Sequence, residues 1–111
     1  MTRSYLSDME QLVLLSVLRL GQDAAGAQIR QELEDQADRS VAVATIYVTL
    51  GRLEERGMVR SWMSDPTPVR GGKRRRHYAL EPAGVEALGH AKATWERMWK
   101  GVEHALGRDR P

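Results

Sequence analysis

Five cations crowd one short stretch of the chain. Between Val69 and Leu80, in VRGGKRRRHYAL, Arg70, Lys73, Arg74, Arg75 and Arg76 surround the pair Gly71-Gly72 and lead into Tyr78 and Leu80. No acid interrupts them, and elsewhere twelve Lys and Arg stand against 15 Asp and Glu, so the basicity is local. Local basicity points to a site for a polyanion rather than to general stickiness. Glycines let a backbone approach a phosphate closely, and cations held beside a phosphate chain bind it by releasing its counterions. The plain alternative is a solvated hairpin tip, since charged loops are common on protein surfaces.

Other chemistry has little to work with. The chain has no cysteine, which excludes disulfides, thiolate metal sites and cysteine nucleophiles. Of the three histidines, His77 falls on an expected strand, while His90 and His104 fall on an expected helix. Those two would lie about 21 Å apart along the helix axis, too far to share a metal within one chain. No glycine-rich phosphate loop, nucleophile elbow or HExxH pattern occurs. The expectation is a protein that is not an enzyme, with no catalytic residues, no cofactor and no metal. Neither a signal peptide nor a run of ~18 apolar residues is visible, so a cytoplasmic protein is expected.

The 111 residues suffice for one compact core, and 41% apolar content is ordinary for a globular protein. That core must come from Leu, Val, Ala and Met, because Phe is absent and there are only three Trp and three Tyr. In SDME, Ser7 and Glu10 have the spacing of a capping box, opening a helix with Met9, Leu12, Val13, Leu15, Val17, Leu18 and Leu20 buried and an end near Gly21. Asp23 is placed to cap a second, short amphipathic helix carrying Ile29 and Leu33. In ATIYVTLGRLEERGMV a third helix sets Ile46, Leu50 and Leu53 on one stripe, with Thr45, Val48, Thr49 and Arg52 on other faces and Gly57 as its stop. Small hydroxyls with one Arg suit the surface of a helix entering a major groove, although they also suit the polar side of any amphipathic helix. Tyr47 either packs against the first helix or offers its hydroxyl to phosphate.

The period then changes from 3.6 to 2. MVRSWMS and KRRRHYAL read as strands enclosing DPTPVRGG, a long hairpin loop. Tyr78 and Leu80 share the face placed toward the core, and Arg75, His77 and Ala79 share the other. Arg75 and Arg76 point to opposite faces by strand alternation, so at most one of them should join Arg70, Lys73 and Arg74 at a polyanion. Pro82 then starts a long helix, with Glu81 as its cap, expected to run to about Leu106. Val85, Leu88, Trp95, Trp99, Val102 and Leu106 follow a heptad seam broken at Lys92. A rod of roughly 25 residues, about 37 Å long, outreaches a core of three short helices. A homodimer that covers this seam is the expectation, with Trp95 and Trp99 either packing there or lining a pocket for a flat apolar ligand.

Three helices, a basic hairpin and a long final helix make a winged-helix layout. TIYVTLGRLEERGMV followed by RGGKRRRHYALEPAG resembles the PadR family of bacterial transcriptional regulators, through Tyr47, Leu50, Leu53, Glu54 and Gly57 and then Gly71, Gly72, Tyr78, Leu80 and Gly84. The match covers about residues 6–90. It implies a mainly α fold with a small antiparallel β-hairpin, namely a winged helix-turn-helix plus a long C-terminal dimerisation helix. Residues 44–56 would be the recognition helix and 64–76 the wing, with Thr45, Tyr47, Thr49 and Arg52 facing DNA and Arg70, Lys73 and Arg74 at its backbone or minor groove. Residues 1–81 would form the DNA-binding domain, 82–107 the dimerisation helix with Val85, Leu88, Trp95, Trp99, Val102 and Leu106 at the interface, and 108–111 a disordered tail. The resemblance also implies a repressor on double-stranded DNA, released by a small aromatic or phenolic effector. Two departures stand out: Glu81 where the family often has Thr, and VAVA entering the third helix without the usual Ser, Pro or Gly. A dimer would read a pseudo-palindromic operator with half-sites about one helical turn apart, or a multiple of it. The competing reading is a winged-helix protein-interaction module with no specific operator.

Overall fold

A computed structural model describes residues 5–64 and 74–107. Helices α1 (Asp8–Leu20), α2 (Gly26–Ala37) and α3 (Val43–Glu55) are followed by strands β1 (Val59–Met63) and β2 (Arg76–Leu80) and by helix α4 (Pro82–Trp99). The fold is mostly helical with a two-stranded antiparallel sheet, as the sequence predicts. Arg70, Lys73 and the tail at 108–111 lie outside the described residues.

Local chemistry sets the ends of α1. Ser7 caps it through its Oγ, which accepts from the Glu10 backbone N–H at 3.1 Å, while Glu10 Oε1 accepts from the Ser7 N–H at 2.8 Å. Inward residues of the first three helices then meet: Leu14, Ile29, Leu33, Ile46, Leu50 and Leu53 are fully buried, each worth roughly 1.5–3 kcal/mol of apolar burial. Met58, Val59, Tyr78 and Leu88 close this core from the hairpin and α4.

The hairpin pairs Val59 with Leu80 and Ser61 with Tyr78. Tyr78 is buried, so the face assigned to the core is correct, and that burial pushes its phenol above the ordinary tyrosine pKa. On its other edge β2 meets the segment between α1 and α2: the Tyr78 N–H donates to the Ala24 carbonyl at 2.9 Å, and Ala25 bridges His77. This contact explains why Asp23 does not cap α2. Asp23 lies in a 3-10 turn, Ala25 is extended where Ala24 and Ala25 meet β2, and α2 starts at Gly26 behind Ala25 with no side-chain cap.

Two further expectations are corrected. Leu15 and Leu18 are 42% and 56% exposed, so α1 is not buried all round. The last helix does not reach Leu106: it stops at Trp99, where Lys100 turns extended and Gly101 takes φ 87°, and a 3-10 turn follows at Glu103–Leu106. Positive φ suits glycine because it has no Cβ to clash. The helix is therefore about 27 Å long rather than 37 Å, and Val102 and Leu106 are not on its seam. Its first half packs closely on the domain. A Cβ at Gly84 would stand 2.3 Å from the Met58 carbonyl oxygen, and Leu88 joins the core. Pro82 occupies the first turn as expected, whereas the Glu81 carboxylate pairs with Arg60 at 3.2 Å instead of capping.

Candidate nucleic-acid interface

Helix α3 turns Ile46, Thr49, Leu50 and Leu53 inward and leaves Ala44, Thr45, Val48, Gly51 and Arg52 outside. Thr49 therefore corrects the expectation that it faces DNA. It is 7% exposed, and its hydroxyl donates to the Thr45 carbonyl one turn back at 2.9 Å. Val48, which the sequence already sets away from the buried stripe, and Gly51, which it does not single out, join Thr45 and Arg52 on the outer face. Val48 is 54% exposed and presents methyl groups of the kind that meet a thymine methyl, and Gly51 has open space where a Cβ would stand. The face is thus small, with one long cation, and a duplex groove can come close to its backbone.

Ion pairs fix the ends of the helix-turn-helix to α1. Arg56, which ends α3, donates to Glu10 Oε2 at 3.1 Å and to the Tyr5 carbonyl at 3.1 Å. Arg39, between α2 and α3, meets Asp8 at 3.0 Å. These exposed pairs add little stability singly, but they hold both ends of α3's approach against one helix end.

Tyr47 packs on α2 and β2. Its ring lies over Gly26 at the start of α2, near enough that a Cβ there would sit 2.5 Å from the Tyr47 Oη, and 6.4 Å from the Tyr78 ring between centroids. It remains 41% exposed. On the hairpin, Ser61 donates to Glu54 at 2.9 Å and accepts from Arg76 at the same distance, tying β1, β2 and α3 together. Arg74 donates from Nε to the Ser64 carbonyl at 3.3 Å. Arg74, Arg75 and Arg76 form no ion pair with any described carboxylate. On the opposite hairpin face Trp62 stacks on His77 at 6.0 Å, with the Arg60 guanidinium 5.7 Å from the Trp62 ring centre.

Residues 14–90 match the model of the transcriptional regulator PadR-like family. The chain belongs to that family. No curated protein matches it. Among solved structures, a PadR family transcription regulator from Clostridium difficile R20291 is 24% identical, with a TM-score of 0.70 over 87% of this chain and 97% of its own. A Streptococcus transcriptional regulator is 26% identical, with a TM-score of 0.68 over 88% and 91%. A PadR-like transcriptional regulator from Bacillus cereus is 19% identical, with a TM-score of 0.70 over 88% and 90%. The protein is thus a DNA-binding transcriptional regulator with a PadR winged-helix fold. No helix among the described residues is long and apolar enough to cross a membrane.

A second surface lies between α1 and α4. An open groove of about 860 Å3 runs past Leu15, Leu18, Val85, Trp95 and Trp99, with Lys92 and Glu96 at its edge. Trp95 is 57% exposed and Trp99 40%. Of the residues expected at a dimer interface, Leu88 is instead 9% exposed and already in the core, Val85, Trp95 and Trp99 are uncovered, and Val102 and Leu106 follow the helix break.

Proposed function

We propose that this PadR-like protein is a homodimeric repressor of a pseudo-palindromic operator. Helix α3 enters the major groove with Thr45, Val48 and Arg52 toward the bases, while Arg74, with Arg70 and Lys73, meets the backbone from the wing. The observation that carries the dimer is the uncovered apolar face of Leu15, Leu18, Val85, Trp95 and Trp99. An apolar patch of this kind on a monomer is an aggregation hazard, and a second copy related by a twofold axis would cover it. Two copies would set two recognition helices on half-sites about one helical turn apart, or a multiple of it.

The same groove is the site of an effector. Its volume falls within the roughly 300–1,000 Å3 usual for small-molecule sites, and two indoles offer flat faces for an aromatic compound to stack on. An effector that favours a different spacing of the two copies would release the operator.

Selection of bound fragments from random duplex DNA tests the central reading. It should return an inverted repeat, bound by a dimer in sedimentation, with affinity falling steeply between low and moderate salt. Salt-independent binding, or unrelated fragments with no repeat, would refute it. Titration of aromatic compounds into a Trp62→Phe background isolates the fluorescence of Trp95 and Trp99. Unchanged emission across a broad panel would refute the effector.

A further inference from the structure

Between the root of the wing and the start of α2 lies a recess of about 470 Å3, whose walls include Gly26, Tyr47, Met63, Arg74, Arg75 and Arg76. Arg75 precedes β2, so the strand alternation expected to send it and Arg76 to opposite faces does not apply, and both line the recess. No carboxylate is among the described residues lining it. Two of the three guanidiniums are held in place by neutral acceptors, Arg74 by the Ser64 carbonyl and Arg76 by the Ser61 hydroxyl. Their positions are thereby restricted while their charge is left uncompensated by any described ion pair. Glu54 stands behind Ser61 and accepts from that hydroxyl, so this carboxylate orients Arg76 at one remove. The recess is thus a preorganised cationic hollow, and the guanidinium fork matches the oxygens of a phosphate.

The placement of Tyr47 adds a hydroxyl to the same hollow. Its ring is set between Gly26 and Tyr78, which holds the Oη against Gly26, a residue that lines the recess with it. A Cβ at residue 26 would stand 2.5 Å from the phenol oxygen and 2.6 Å from its ring carbon, so any larger residue there would displace the phenol. The recess also joins α3 to the wing root, the two elements that meet DNA.

We propose that this recess seats one phosphodiester of the DNA backbone in each half-site, with the Tyr47 hydroxyl and the Arg75 and Arg76 guanidiniums as its donors and Gly26 as the positioning residue that admits the phenol. The inference rests on the protein's reading as a DNA-binding regulator and sharpens it to one phosphate. It gives Tyr47 the task of fixing register, since phosphate contacts position a protein without specifying bases.

Methylphosphonate substitution, which neutralises one backbone phosphate at a time, tests it on the full chain and its selected operator. For the wild type, one phosphate per half-site should stand out, its neutralisation weakening binding roughly tenfold, as for loss of a hydrogen bond to a charged group. Tyr47→Phe should weaken binding to unmodified DNA by a similar factor and make that phosphate, and no other, insensitive to neutralisation. Arg75→Gln should behave likewise, and Gly26→Ala should erase the effect at the same position, which a general loss of folding would not do. If Tyr47→Phe binds like the wild type and leaves the phosphate profile unchanged, the inference is wrong. If the wild type binds no duplex at all, the DNA reading itself fails, an outcome distinct from the first.

Discussion

On the side of the molecule formed by α3 and the hairpin, polar groups are tied to one another by the chain itself. Thr49 is satisfied by the Thr45 carbonyl, Ser61 sits between Glu54 and Arg76, and Arg74 leans on Ser64. Along α1 and the second half of α4 the arrangement is reversed. Leu18, Trp95 and Trp99 are exposed, and the described ion pair within α4 is a single exposed Lys92–Glu96 contact at 3.8 Å, of a kind that contributes little. The first side is finished within one chain and has to be rigid to measure a duplex. The second is unfinished, and its exposed apolar area is of value only against another surface.

The largest break in this contrast comes from the unfinished side. Trp95→Asp should leave the fold intact in circular dichroism, because the residue is outside the core, yet raise the dimer dissociation constant about 100-fold or more, as for loss of an interface hot spot. Sedimentation velocity reads this directly, and a wild type that stays monomeric at micromolar concentration would remove the contrast altogether. On the finished side, Arg52→Ala should cost about 1–3 kcal/mol of operator affinity and flatten the base preference at one position per half-site in a binding selection. Equal losses on operator and random DNA would instead make Arg52 a backbone contact. Smaller again, Arg74→Ala should reduce the slope of log affinity against log salt by about one per wing without altering sequence preference.

The smallest effect lies beneath the hairpin. Burial favours the neutral Tyr78 phenol and raises its pKa, with nearby Arg76 working in the opposite direction. Folding therefore gains from this group at pH values below the ordinary tyrosine range, and the gain is lost as pH rises through the raised folded value. Denaturant midpoints measured across the alkaline range should fall for the wild type more steeply than for Tyr78→Phe. Parallel curves would show that Tyr78 ionises without opposition.

What the sequence disclosed was governed by local rules. Ser7 and Glu10 announce the start of α1, the stripe of Ile46, Leu50 and Leu53 orients α3, and two-residue alternation puts Tyr78 inward. Thr49 was misplaced although its position, three after Ile46 and four before Leu53, belongs to the buried stripe. A threonine can join a core when its hydroxyl bonds the carbonyl four residues back, so its polarity was a poor guide. Lys100 and Gly101 offered a stop signal for α4 that the apolar seam beyond them obscured. The late start of α2 had no local signal, since Ala24 and Ala25 are held out of the helix by a partner more than fifty residues away. The wing root recess is hidden for the same reason: Gly26, Tyr47 and Arg76 converge only in three dimensions.

That long-range partner also bears on how the protein meets DNA. With β1 on one edge and the Ala24 carbonyl on the other, β2 is stitched into the same body as the helix-turn-helix. The distance from the exposed face of α3 to the wing root is consequently fixed at folding, like the span of a caliper locked before use. Where a duplex has a groove width that does not match, it is the DNA that must bend or narrow, and stretches that deform readily will be preferred even where no side chain touches a base.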